Sequence, residues 1–185
     1  MLTWIIVAIA VASAIYVAVL FNRLVRTRQM AREAWSGIDV QLKRRSDLIP
    51  NVVDVVKTYA AHERDVLTAV TELRGAGRAL PPGAVDKRGE VEGALSVALG
   101  RLMAVAEAYP DLKASRNFLD LQQQLSEVET DLQMARRYYN GAVRNLNILI
   151  ESFPSNLVAG PFGFARMDFF ELDDAAERAA PAVAL

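Results

Sequence analysis

Cysteine is absent from the 185-residue chain, and histidine occurs once, at His62. Without thiols there is no disulfide, no cysteine nucleophile, no sulfur-ligated zinc or iron–sulfur cluster and no cysteine to acylate; the absence fits a reducing cytoplasm. A carboxylate-bridged di-metal bundle needs two Glu-x-x-His pairs, and the residue three before His62 is Tyr59. A Ser-His-Asp arrangement would have to use the same His62, and no glycine-flanked serine elbow accompanies it. Strand-like alternation is also missing, so no glycine-rich phosphate loop follows a strand. These absences point to a protein that is not an enzyme, with no catalytic residues, no cofactor and no metal.

Charge of one sign is equally lacking. Twenty-one basic and twenty-two acidic side chains leave a formal net charge of -1. Phosphate binding needs a concentrated cationic face, and the only tight basic group outside the N-terminal region is Lys43, Arg44 and Arg45. Three such residues on one helix read as a solvated face, so nucleic acid is not an expected partner.

What the chain does have is a long apolar run. Residues 2–21 are interrupted only by Thr3 and Ser13, and Arg23, Arg26, Arg28 and Arg32 follow at once. Twenty helical residues cover roughly 30 Å, the thickness of a bilayer's hydrocarbon core, so the run is read as a single-pass anchor over residues 1–22. A cleaved secretory signal would carry a basic start and a shorter apolar region; here Met-Leu-Thr-Trp opens the run, and the cleavage-like Ala12-Ser13-Ala14 lies inside it. With four arginines crowding the far end, the positive-inside bias places the N-terminus outside and the remainder in the cytoplasm, with the arginine collar on the lipid headgroups. Trp4 suits the outer interface, whereas Tyr16 lies too deep for that role.

Beyond the anchor, apolar residues recur at helical spacing. Trp35, Ile38, Leu42, Arg45, Ile49, Val52, Val56, Tyr59, Glu63, Val66, Val70 and Leu73 form one 3.5-residue seam with two polar exceptions. This predicts a helix A from the membrane to about residue 74. Pro50 removes an N–H and crowds the preceding turn at roughly 3 kcal/mol, so a kink or a break is expected there, with two helical segments meeting near residues 47–50. Glycines and prolines between Gly75 and Gly89 mark an interruption. Helix B carries Val91, Leu95, Ala98, Leu102, Val105 and Tyr109 and stops at Pro110. Helix C carries the strongest stripe, from Phe118 through Leu125, Leu132, Tyr139, Leu146 and Leu149 to Phe153, and stops at Pro154. The fold class is all-α: an N-terminal transmembrane helix and an antiparallel up-and-down bundle of three long helices, or four if helix A breaks at Pro50.

Several stretches resemble the LemA family. They are Glu33-Ala34-Trp35-Ser36-Gly37-Ile38-Asp39-Val40-Gln41-Leu42 continuing to Pro50-Asn51-Val52-Val53, then Tyr109-Pro110-Asp111-Leu112-Lys113-Ala114, Asn117-Phe118, Ala135-Arg136-Arg137, Phe153-Pro154, Gly163-Phe164 and Phe169-Phe170-Glu171. The resemblance implies an outside N-terminus and a cytoplasmic, bromodomain-like four-helix bundle over residues 23–172. It also implies a link to envelope stress or specialised membrane compartments, and it supplies no catalytic residue.

Three features invite a functional reading. Asp39, Lys43, Arg45 and Asp47 surround Pro50, and Arg45 on the seam demands a partner; the expectation is an internal ion pair with Glu127, Glu129 or Asp131. Phe162, Phe164, Phe169 and Phe170 either close the bundle's end or form a partner surface. Residues 173–185, rich in Ala and Pro, are read as a disordered tail. The expected role is that of an interaction or scaffolding module at the inner membrane face, with the bilayer and an unidentified protein as partners and homo-oligomerisation open. The alternative is a small-ligand-binding sensor or accessory subunit of a membrane enzyme complex.

Overall fold

A computed structural model describes residues 1–81 and 83–171, so the 173–185 tail lies outside the described residues. Six helices follow in order: α1 (Leu2–Tyr59), α2 (Arg64–Ala79), α3 (Val85–Glu107), α4 (Pro110–Lys113), α5 (Arg116–Glu151) and α6 (Asn156–Ala159), with no strand among the described residues. The fold is a helical bundle carrying a long apolar N-terminal helix. It divides into two compact units, one of Met1–Ile38 with Ala135–Phe169 and the other of Asp39–Met134 with the chain from Phe170.

In the first unit, every residue of α1 up to Val19 is exposed, and burial begins at Leu20 and Leu24. These two pack with Val158, Ala159 and Phe164, flanked by Leu149 and Ile150 of α5. Farther along, the Trp35 and Tyr139 rings meet edge-on at 5.3 Å. Low-numbered α1 residues thus meet high-numbered α5 residues, the mark of an antiparallel pair. Past α5 the chain turns through a cis Phe153–Pro154 bond. The Ser155 hydroxyl lies 2.6 Å from the Leu149 carbonyl and 2.9 Å from that of Ser152, capping α5's last turn. An extended strap then runs back along α5: Asn147 Nδ2 donates to the Met167 carbonyl at 2.9 Å, Met167 N–H donates to Asn147 Oδ1 at 3.0 Å, and Tyr139 O–H donates to the Asp168 carbonyl at 2.9 Å.

In the second unit, five helices share one core. Ile49, Val52 and Val56 of α1 meet Leu67 and Val70 of α2, Leu95, Leu99 and Leu102 of α3, and Phe118 and Leu125 of α5, with Leu112 of α4 beneath. Gly89 of α3 touches the strap, since a Cβ there would stand 2.1 Å from the Glu171 carbonyl oxygen.

Of the kink or break expected at residues 47–50, the break does not occur, because α1 runs through Pro50. Proline leaves the Ser46 carbonyl without its helical N–H, and Arg74 Nε of α2 donates to that oxygen at 2.6 Å. The helix instead ends at Tyr59 and resumes at Arg64, so the segment read as the end of helix A is a separate α2. Gly75 and Gly77 lie within α2 rather than after it.

Candidate functional site

The polar belt resolves into a buried ion cluster and a charged cleft, both in the second unit. Arg45 is fully buried on the inward face of α1. Its Nη1 donates to Glu129 Oε1 at 2.8 Å and to Ser96 Oγ at 2.9 Å; its Nη2 bonds Glu92 Oε2 and the Glu92 carbonyl, the latter at 3.3 Å. Four of the five guanidinium donors are thereby used, and Nε has no hydrogen-bond partner among the described residues. Burial alone lowers the guanidinium's pKa, but attraction to Glu129 and Glu92 outweighs it and the net direction is up. Arg45 is therefore a fixed charge and not a proton carrier. The expected pair with a helix C carboxylate is made with Glu129; Glu92 of α3, itself buried, is the partner that sequence reasoning missed. Its spacing was visible, since Glu92 precedes Leu95 and Leu99 by three and seven residues on the inward face of α3. Arg44 meets Asp131 at 3.3 Å in an exposed pair that contributes little.

Beside this cluster lies a cleft of about 260 Å³ lined by α1, α2 and α3. Asp39, Lys43 and Asp47 form one wall, Arg74 and Arg78 another, and Arg88 and Glu92 a third. Gly77 lets α2 approach Glu92, whose Oε1 would lie 3.0 Å from a Cβ at that position. The volume is below the ~300–1,000 Å³ of most small-molecule sites, and its charges nearly balance. Chemically the cleft suits a small polar solute or anion.

The other candidate residues lie apart from the cleft. His62 is exposed in the turn between α1 and α2, and no cluster of potential metal ligands occurs among the described residues. Arg23, Arg26 and Arg32 are exposed as a headgroup contact requires. Arg28 departs from that role: its guanidinium carbon stands 4.7 Å from the centre of the Phe164 ring, a cation–π contact within the bundle. The phenylalanine tail also divides. Phe164 and Phe170 are buried against the chain and cannot form a partner surface, Phe169 is half-buried, and Phe162 is exposed.

A model of the LemA family matches residues 34–185. The chain belongs to the LemA family. It is 27% identical over 175 residues to the magnetosome protein MamQ 2 of Paramagnetospirillum magneticum, covering 82% of this chain and 64% of that protein. The magnetosome protein MamQ of Magnetospirillum gryphiswaldense is 25% identical over 174 residues, with 81% and 64% covered. Protein LemA of Metamycoplasma hominis is 28% identical over 155 residues, with 83% and 69% covered. The chain thus spans 64% of the length of these magnetosome relatives. Family and apolar helix together describe a membrane-associated helical protein.

Proposed function

We propose that the chain is a single-pass membrane protein whose helical bundle is a non-catalytic scaffolding module, presented to a protein partner at the inner face of the membrane. One observation carries the reading. Helix α1 leaves the apolar run and enters the bundle's first unit with no linker, since Leu20 and Leu24 are already core residues. A first unit joined in this way is held at a set height beside the bilayer, which a scaffold needs and a freely tethered enzyme does not. The arginine collar supports a cytoplasmic bundle, and the relatives named as magnetosome proteins fit a role in membrane organisation.

Two measurements test this. A reporter fused after Leu185 reads cytoplasmic, and neutralising Arg23, Arg26 and Arg32 weakens that bias; periplasmic activity of the unaltered fusion refutes the orientation. His62→Ala retains full complementation of a deletion phenotype at matched expression, and its failure in a well-folded protein refutes the non-catalytic reading.

The charged cleft favours the second reading, a small-ligand sensor or accessory subunit. Calorimetric titration of the full chain in detergent with inorganic phosphate or acetate decides it: saturable heat that is abolished by Arg78→Gln supports the sensor, and no heat removes it.

A further inference from the structure

The helix C stripe ends on an anomaly. Phe153 is its last member and the only one left exposed, at 78%. Leu157 and Phe162 are 65% and 55% exposed, so three large apolar side chains within ten residues share one turn of the chain. That turn is firmly placed, because its inner residues Val158, Ala159 and Phe164 lie in the core with Leu20 and Leu24.

Register gives its height. Fourteen residues separate Tyr139 from Phe153, and fourteen separate Trp35 from Phe21. From the Trp35–Tyr139 contact, equal rise along the antiparallel pair brings Phe153 level with Phe21, where the apolar run ends. The Phe162 and Phe21 rings meet at 5.1 Å, which fixes the other end of the turn at the same level. A groove of about 480 Å³ at this level is lined by Tyr16 and Leu20 of α1 and by Phe153 and Pro154, and it continues past Arg23 to Met30. Tyr16 stands five residues inside the end of the run, about 7.5 Å along the helix axis. Helices that lie in a membrane interface bury their apolar face about 5–10 Å deep.

We infer that residues 153–162 are a second bilayer contact, with Phe153, Leu157 and Phe162 inserted into the boundary between headgroups and acyl chains beside α1. This rests on the reading of α1 as a membrane span. The occupant is lipid because the turn adjoins the span itself and its exposed side chains are apolar at the depth where acyl chains begin. Exposed Arg23 and Arg26 lie two and five residues past Phe21 on α1, at headgroup height. The contact gives the first unit a second point of attachment and so fixes its rotation about α1.

The absence of cysteine makes the test direct. Single Leu157→Cys, Phe162→Cys, Val11→Cys and Val97→Cys variants of the full chain, labelled with the fluorophore NBD, are reconstituted into phosphatidylcholine–phosphatidylglycerol vesicles containing lipids doxyl-labelled at acyl carbon 5 or 12. Labels at positions 157 and 162 are quenched at least twofold more by the shallow than by the deep quencher; position 11 is quenched by the deep one, and position 97 by neither. Quenching at position 11 with none at 157 and 162 overturns the second contact and leaves the span intact. No quenching at position 11 overturns both. Shielding of 157 and 162 from aqueous iodide that disappears at one chain per vesicle, without doxyl quenching, assigns the patch to a second copy and also overturns the inference.

Discussion

Replacing Arg45 by methionine should be among the most damaging single substitutions in the second unit. The side chain is fully buried and bound to two carboxylates. Removing the guanidinium leaves those carboxylates in unequal positions. Glu129, with 32% of its side chain exposed, can recover water; Glu92, with 7%, cannot. A buried charge stripped of its partner costs about 3–5 kcal/mol. For a chain of this length each kcal/mol moves the melting midpoint by about 2–4 °C, so Arg45→Met should lower it by roughly 6–20 °C. Adding Glu92→Gln removes the stranded charge, and the double variant should melt above Arg45→Met alone, with a coupling of about 2 kcal/mol. Because the Arg45 pKa is raised, its contribution is complete below the ordinary guanidinium range and is lost only at higher pH, so this effect should be flat between pH 6 and 9. Thermal melts of the full chain in detergent, followed by circular dichroism, read all three. A drop under about 3 °C for Arg45→Met, or a double variant as unstable as the two single costs added, would refute the buried-cluster argument.

Three further outcomes follow from the packing. Arg74→Met should cost about 1.5–3 kcal/mol because it strips the Ser46 carbonyl of a charged donor, and Pro50→Ala should erase most of that cost by restoring a backbone N–H; chemical denaturation of the four species of the cycle checks it, and equal costs with and without Pro50 defeat the explanation. Leu132→Ala and Leu125→Ala, at buried positions of α5, should each lose about 2–5 kcal/mol, and losses under ~1 kcal/mol would mean the stripe is not core. Gly89→Ala drives a methyl against the Glu171 carbonyl, so despite alanine's better helix propensity it should destabilise by about 1–3 kcal/mol and speed proteolysis of the strap; unchanged melting and cleavage contradict the close approach.

Apolar spacing carried most of the fold. It placed Ile38, Leu42, Ile49, Val52 and Val56 in the core, and it flagged Arg45 as the seam residue that needed a carboxylate. It misplaced the end of the first helix for two physical reasons. Pro50 is a strong local breaker, yet a side chain 28 residues away satisfies the carbonyl it orphans, and no local pattern reveals that. The true turn at residues 60–63 contains neither glycine nor proline, and Val56, Ala60, Leu67 and Val70 keep one core across it. The legible sign was charge: Lys57 sits in the last turn of α1 and Asp65 in the first turn of α2, each matched to its helix dipole. Among site residues, Glu92 and Asn147 were overlooked because each reads as an ordinary polar position until its partner, Arg45 or the Met167 backbone, is brought beside it. Phe153 continues the apolar stripe of α5 yet is exposed, because periodicity reports which face a residue shares and not what covers that face.

The central claim is that the bundle works only where the membrane holds it. Residues 2–19 make no buried contribution to the bundle, whereas Leu20 and Leu24 do, so deleting 2–19 removes the anchor and leaves the first unit's core complete. The decisive measurement is complementation of a deletion phenotype by this shortened chain, at matched expression and with helicity verified by circular dichroism. A folded, unanchored chain should give no rescue, and full rescue by it would contradict the membrane-held scaffold.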